Sequence, residues 1–304
     1  MDDVNTLEIT EEKLSDAIKQ QFGNDKDFSI TDNRDGSFLV SMNDTQRMYY
    51  VDETGEIIEQ NKILKISTAD ELKAFRDDVN SGNTYEGWYV YLANDITLNI
   101  NEEWEPIGKY SDDNTKPNMQ FKGIFDGKDY EILGLYINRE NDRYQGMFGY
   151  NMGTVKNLTI SADSYVKGKG NTGAIAGYNG SKVLKCTNQA MVQSNYNNTG
   201  GIVGKNEGYI NNCKNEGVVK NTSQATGGVV GWNCTVGIVE NCYNNANITT
   251  EYQMTGGVVG SNDGIVRKCF NSSEILTSSF TIGGIVGQNN GQIEECFNER
   301  KCYI

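Results

Sequence analysis

From residue 146 to its end the chain repeats itself every 27 to 29 residues, and this period constrains the fold more than any other feature. Gly146–Gly149, Gly173–Gly177, Gly200–Gly204, Gly227–Gly231, Gly256–Gly260 and Gly283–Gly287 are short apolar strings bracketed by glycine. Their final glycines lie 28, 27, 27, 29 and 27 residues apart. The longest interval holds two extra residues near Cys234-Thr235, which read as a turn insertion.

Further columns keep the same phase. Asparagine follows each string at Asn151, Asn179, Asn206, Asn233, Asn262 and Asn289. After a turn comes a β-branched residue: Val155, Val183, Ile210, Val239, Val266 and Ile293. Cys-x-Asn then recurs at Cys186/Asn188, Cys213/Asn215, Cys242/Asn244, Cys269/Asn271 and Cys296/Asn298, with Leu158 and Ile160 in these places in the first unit. The alternation continues through Gly217 and Val219 and their counterparts, so these seven residues predict one strand with a buried face. A unit is expected to hold about three short strands and three bends.

Such a unit is too short for a propeller blade and lacks the 3-and-4 apolar spacing of a helical repeat. It fits one coil of a single-stranded parallel β-helix. Stacking coils at the inter-strand distance of ~4.8 Å would make six of them a rod on the order of 29 Å long. Like residues then lie above one another. The Cys column becomes a buried thiol ladder, and the Asn columns become amide ladders in which each side chain donates to the next one's oxygen. Stacked, parallel cysteines suit disulfides poorly, so mostly free thiols are expected, with Cys234 and Cys302 less confined than the column.

The region in front is different. Residues 146–304 carry 12 Lys/Arg and 10 Asp/Glu, whereas residues 1–145 carry 15 and 31. Neither part has the basic stripe that a phosphate backbone requires, which argues against nucleic acid. The absence of histidine removes the commonest general base and metal ligand. No apolar run is long enough to span a bilayer, so no membrane contact is expected within this chain. Residues 1–62 predict a small α+β domain: a helix from Thr10 as N-cap to about Phe22, then a meander with strands near 28–30, 37–40, 47–51 and 56–58 and turns at Asp35-Gly36, Asn43-Asp44 and Glu53-Thr54-Gly55. Residues 63–145 predict a capping helix over 69–79 and irregular first coils of the β-helix, which fills 63–304.

The Gly-x-x-Gly strings, six times repeated over 146–304, resemble the GLUG repeats of bacterial surface and secreted proteins, although none of the six has Leu after its first glycine. Phe121–Gly127 with Ile132–Ile137 resembles the first coils of pectate-lyase-like β-helices. Residues 1–62 resemble the soluble part of pilin-like surface proteins. The GLUG resemblance implies an extracellular, cell-surface adhesion module, whose export or anchor segment is expected to have been removed from this chain, and it implies no chemistry.

Three functions are compatible with these observations. The expected one is a non-catalytic binding module whose partner is a glycan or a host or cell-surface protein. Outward aromatics would carry it: Tyr150, Tyr178, Trp232, Tyr243, Phe270 and Phe297, unless these only stack on one another between coils. The second is a polysaccharide-active enzyme, which would need paired carboxylates from Asp112, Asp113, Asp126 and Asp129. Asp126-Gly127 reads instead as a turn, and Asp112-Asp113 as a polar loop tip that is the one place where calcium could be held; no cofactor is otherwise expected. The third is a structural stalk. Residues 299–304 are too few to cover an open coil edge, so the chain continues, folds back, or meets a second copy end to end.

Overall fold

The computed structural model describes residues 11–24, 27–32, 38–43, 48–51, 57–59, 62–110, 115, 117–277, 281–300 and 302–303. Thr10, Asp35-Gly36, Asp44, Glu53-Thr54-Gly55, Asp112 and Asp113 lie outside them. Contacts divide the chain into two compact units. One comprises residues 1–64 with 87–89, and the other residues 65–86 with 90–304.

In the first unit, α1 (Glu11–Phe22) precedes an antiparallel meander of β1 (Phe28–Asp32), β2 (Phe38–Met42), β3 (Met48–Val51) and β4 (Ile57–Glu59), paired in that order. Leu14 and Ile18, one helical turn apart, share a face and are buried with Val40, Met42, Tyr49 and Val51. The alternation of Val40 with Met42 and of Tyr49 with Val51 is the period of a sheet with one covered face.

The second unit is a parallel β-solenoid of about eight turns spaced roughly 27 residues apart. Its register follows the sequence columns. Val155 pairs with Val183, Val183 with Ile210, Ile210 with Val239, Val239 with Val266 and Val266 with Ile293. Four parallel sheets run along it, of six, nine, eight and eleven strands. One coil shows how: Val203–Asn206 lies in the six-stranded sheet, Tyr209–Asn211 in the nine-stranded sheet and Lys214–Asn215 in the eight-stranded sheet. Val219–Asn221 and Thr226–Gly227 both join the eleven-stranded sheet.

The coil therefore has five short strands, not three. The expected seven-residue strand breaks after Asn215, because that side chain takes over the backbone bonding of the bend. Asn215 Nδ2 donates to the Gly217 carbonyl (3.0 Å), and the Gly217 N–H donates to Asn215 Oδ1 (3.3 Å). Asn206 does the same with Gly208 at another corner. Burial still alternates across the break, with Cys213, Asn215, Gly217 and Val219 inside and Lys214, Glu216 and Val218 less covered. A third bend, just before Leu158 in the first unit and before each column cysteine in the later ones, is left-handed at Asn157, Lys185, Asn212, Asn241, Lys268 and Glu295, with φ of 50° to 54°. Asparagine tolerates this conformation, but lysine and glutamate do so at a cost, so composition alone does not announce the bend.

Both asparagine ladders are continuous. In the first, Asn151 donates to Asn179, which donates to Asn206, then Asn233, Asn262 and Asn289, at 2.8, 2.8, 2.8, 2.8 and 2.7 Å. In the second, Asn188, Asn215, Asn244, Asn271 and Asn298 are joined at 2.8, 2.8, 2.9 and 2.7 Å. Glycine is needed beside the second ladder: a Cβ on Gly201 would stand 2.3 Å from the Asn215 side chain, and one on Gly228 2.3 Å from that of Asn244. The Gly-Gly strings are thus the counterpart of the Cys-x-Asn column across the coil.

α2 (Ala69–Ser81) belongs to the first coils. Thr68 and Glu71 form a capping box at its start, and Gly82 ends it at φ 116°. Its buried face of Leu72, Phe75 and Val79 lies over the aromatics of those coils. Phe75 stands 5.7 Å from Phe121 and 5.9 Å from Phe125, ring centre to ring centre. The helix thereby covers apolar side chains that the next coil would otherwise bury.

Candidate functional site

The thiols are placed as ladder members, not reactive groups. Cys186, Cys213, Cys242 and Cys269 are buried, Cys296 is half-buried, and all are free, as is Cys234. Each ladder sulfur lies 3.1 to 3.5 Å from the carbonyl oxygen two residues before it. Burial pushes Cys213 and Cys242 well above the usual thiol range. Cys234, in the inserted turn, is 8% exposed against 0–1% for the four buried ladder cysteines, and burial lifts its pKa to about 12. The side chain of Cys302 lies outside the described residues. In native, unreduced protein these thiols are expected to react slowly with an exposed-thiol reagent at pH 8. Denaturation should release six or more at once; a denatured count of two or fewer would contradict this arrangement.

Of the acidic candidates, Asp126 and Asp129 lie within the described residues, and Asp112 and Asp113 outside them. Asp126 ends a strand and is fully buried, its Oδ2 3.6 Å from the buried Lys156 Nζ and 3.9 Å from Lys128 Nζ. Its other oxygen accepts the Lys128 N–H (2.8 Å) and Asn157 Nδ2 (3.0 Å). Asp129 is exposed in the turn that follows, at φ 62°. Among the described residues no cluster of three or more Cys, Asp or Glu could hold a metal ion.

The six outward aromatics fall into two separate columns. Tyr243, Phe270 and Phe297 belong to the eight-stranded sheet, and their rings stack nearly parallel at 5.1 and 5.5 Å. That column is satisfied by its own stacking. Tyr150, Tyr178 and Trp232 belong to the six-stranded sheet, with Lys205 between the last two. The Lys205 ammonium lies 5.5 Å from the Tyr178 ring centre and 5.0 Å from that of Trp232. Tyr150 and Tyr178 meet at 4.7 Å, and Tyr110 packs on both at 5.3 and 6.3 Å and on Tyr144 at 4.4 Å. Tyr178 and Trp232 are anchored by hydrogen bonds to Glu207 (2.8 Å) and Asp263 (2.7 Å). Burial, then the Glu207 bond, pushes the Tyr178 phenol far above its ordinary range, so it stays a neutral donor.

Beside this second column the solenoid is irregular. The strand Tyr136–Gln145 pairs with Tyr165–Thr172 in register as far as Arg139 and Gly168, then resumes at Arg143 and Gly170. Two extra residues make a bulge there, just before Tyr144, which is left-handed at φ 61° like its counterparts Asn171, Asn198, Ala225 and Met254 in later coils. Gly177 permits the turn, since a Cβ on it would stand 2.3 Å from the Tyr144 backbone. The bulge opens a cavity of about 650 Å³ bounded by Lys109, Tyr110, Arg139, Arg143, Tyr144 and Lys169, among others. A second cavity of about 320 Å³ shares Arg143 and Tyr144 and reaches Tyr196, Lys205 and Trp232. Together they form a groove with cations and aromatic rings on its walls.

Sequence reading found Trp232 and the tyrosine column but missed Arg139, Arg143, Lys169, Lys205, Tyr110, Tyr144 and Tyr196. The available signal was the failure of the repeat: residues 139–143 carry a run of four charges, Arg139, Glu140, Asp142 and Arg143, where later coils have at most one.

No family model matches the chain, and no solved structure matches it. It is 34% identical over 135 residues to a protein of Evansella cellulosilytica described as a putative Gly-rich membrane protein, an alignment covering 41% of this chain and 14% of that one. The chain thus spans a small part of that relative's length. Among the described residues no helix is long and apolar enough to cross a membrane.

Proposed function

We propose that this chain is a non-catalytic binding module of a bacterial cell-surface protein, of the GLUG-repeat kind, and that it holds a glycan along the groove beside Tyr150, Tyr178 and Trp232. The observation that carries this reading is the groove: aromatic faces and charged side chains converge at one bulged place on an otherwise regular solenoid. Regular repetition explains the rest of the surface by stacking, but it does not call for a bulge lined with Arg139 and Arg143. Ligand sites combine apolar faces with a few placed polar groups in this way. The resemblance to a protein described as membrane-associated agrees with a surface location. Here the solenoid acts as a scaffold that fixes the groove.

A glycan array probed with the whole chain tests the reading. Hits are expected, and Trp232→Ala should abolish or strongly weaken them, because it removes an aromatic face from the groove wall. An empty array would leave the solenoid as a structural stalk, and hits that survive Trp232→Ala unchanged would place the binding outside this groove.

A further inference from the structure

We infer that the groove selects an acidic polysaccharide, a sugar chain bearing carboxylate or sulfate substituents; this rests on the binding role proposed above. The first observation is charge. The chain carries a net −14, yet among the described residues the two cavities are bounded by Lys109, Arg139, Arg143, Lys169 and Lys205 against Glu105 and Asp142. Three of the cations are already engaged: Lys109 with Glu105 at 2.7 Å, Arg139 with Glu103 and Asp142 at 3.6 and 3.5 Å, and Lys205 with Glu207 at 2.8 Å. Arg143 and Lys169 have no ion pair among the described residues. The recorded charge contact of Arg143 is with the Tyr196 ring, 5.1 Å from its guanidinium carbon. Two cations that bound one cavity, neither in an ion pair among the described residues, are a place for anionic substituents.

The second observation concerns hydrogen bonding. Arg139 and Gln145 are residues of the groove wall, and their Nε and Oε1 atoms, which solvent does not reach, have no hydrogen-bond partner among the described residues. Buried polar atoms are nearly always bonded, so a turn of either side chain towards the cavity would offer a ligand a group that has no partner among the described residues. Arg139 Nε is a donor and needs an acceptor. Gln145 Oε1 is an acceptor and needs an O–H or N–H. A simple anion supplies only acceptors and would leave Gln145 unsatisfied. A sugar with hydroxyls and an anionic substituent meets both needs, and its C–H faces fit against Tyr144, Tyr196 and Trp232. Single-stranded RNA also combines anions with stacking. With three of five cations already neutralised, the groove lacks the continuous positive track that a phosphate backbone requires.

Retention of the whole chain on dextran, carboxymethyl-dextran, dextran sulfate and hyaluronan would test this, with poly(U) as the nucleic-acid arm. The first three share a backbone and differ only in charge, and they separate carboxylate from sulfate. The expected result is retention on one or more acidic polymers and none on dextran, weakening steeply as salt rises to about 0.5 M. Arg143→Glu with Lys169→Glu should lower the affinity about tenfold or more, the scale of two lost charge contacts. Lys182→Glu with Lys220→Glu makes the same charge change at exposed sites outside the groove and should have little effect. Melting curves for both double variants should match that of the parent. Equal retention on dextran, equal loss in the two double variants, or preference for poly(U) would overturn the acidic-polysaccharide inference. Dextran retention that Trp232→Ala abolishes would still leave a glycan-binding module standing. No retention on any sugar polymer here, with an empty array, would overturn both.

Discussion

Asn215→Asp is expected to destabilise the solenoid by about 3–5 kcal/mol at pH 7, the scale of a buried charge without its partner. Asn215 is fully buried; it accepts from Asn188 and donates to Asn244 and to the Gly217 carbonyl. A carboxylate has the same shape but donates nothing, so Asn244 Oδ1 and the Gly217 carbonyl both lose a proton, and a charge is added where no cation faces it. The pH dependence is distinctive. Burial raises the carboxyl's pKa in the folded chain above its unfolded value of about 4. Its favourable contribution is therefore whole below about pH 4, where the protonated acid can donate to Asn244, and is lost as pH rises through the folded-state pKa. Urea midpoints should separate most from those of the parent at pH 7 and converge towards pH 4. Equal midpoints at pH 7, or a gap that does not narrow in acid, would remove the ladder from the account of stability.

Asp126→Asn should be comparably damaging for a different reason. Asparagine can still accept from the Lys128 N–H and from Asn157, so the turn keeps its bonds. What disappears is the negative charge facing Lys156, itself 1% exposed. Leaving that ammonium buried without this carboxylate is expected to cost about 3–5 kcal/mol. Adding Lys156→Met should restore most of the loss, because a buried pair replaced whole by packed apolar atoms is often neutral. Thermal or urea unfolding of the single and double variants checks this, and a double variant no better than Asp126→Asn would refute the pairing.

What was legible in the sequence follows from what periodicity can report. The β-branched column, the thiol column and both asparagine ladders were readable because stacking forces like onto like, so a chemical requirement at one coil is written again in the next. Asn215 shows the limit of that reading. Its place in a strand-like alternation was visible, but its side chain makes it a corner, and alternation survives the corner. Lys185, Lys268 and Glu295 hide a bend because neighbouring coils require the left-handed conformation and override local preference. The groove was least legible. Trp232 and Tyr178 belong to a repeating column, and Tyr144 belongs to a left-handed column whose residues are otherwise unlike (Asn171, Asn198, Ala225, Met254), whereas Arg139 and Arg143 sit on a bulge that the described later coils do not repeat, so no second copy marks them. Cys234, outside the repeating column, carried no such mark of its surroundings, and it is covered beside Lys205 and Glu207.

In both ladders every amide nitrogen donates towards the following coil, from Asn151 to Asn289 and from Asn188 to Asn298. The array is therefore vectorial: each coil offers oxygen to the coil before it and nitrogen to the coil after it. A whole coil could be duplicated or deleted anywhere between two such neighbours, and the amides on either side of the junction would still match. Selection could thus change the reach of this scaffold in single-coil steps without redesigning its interior.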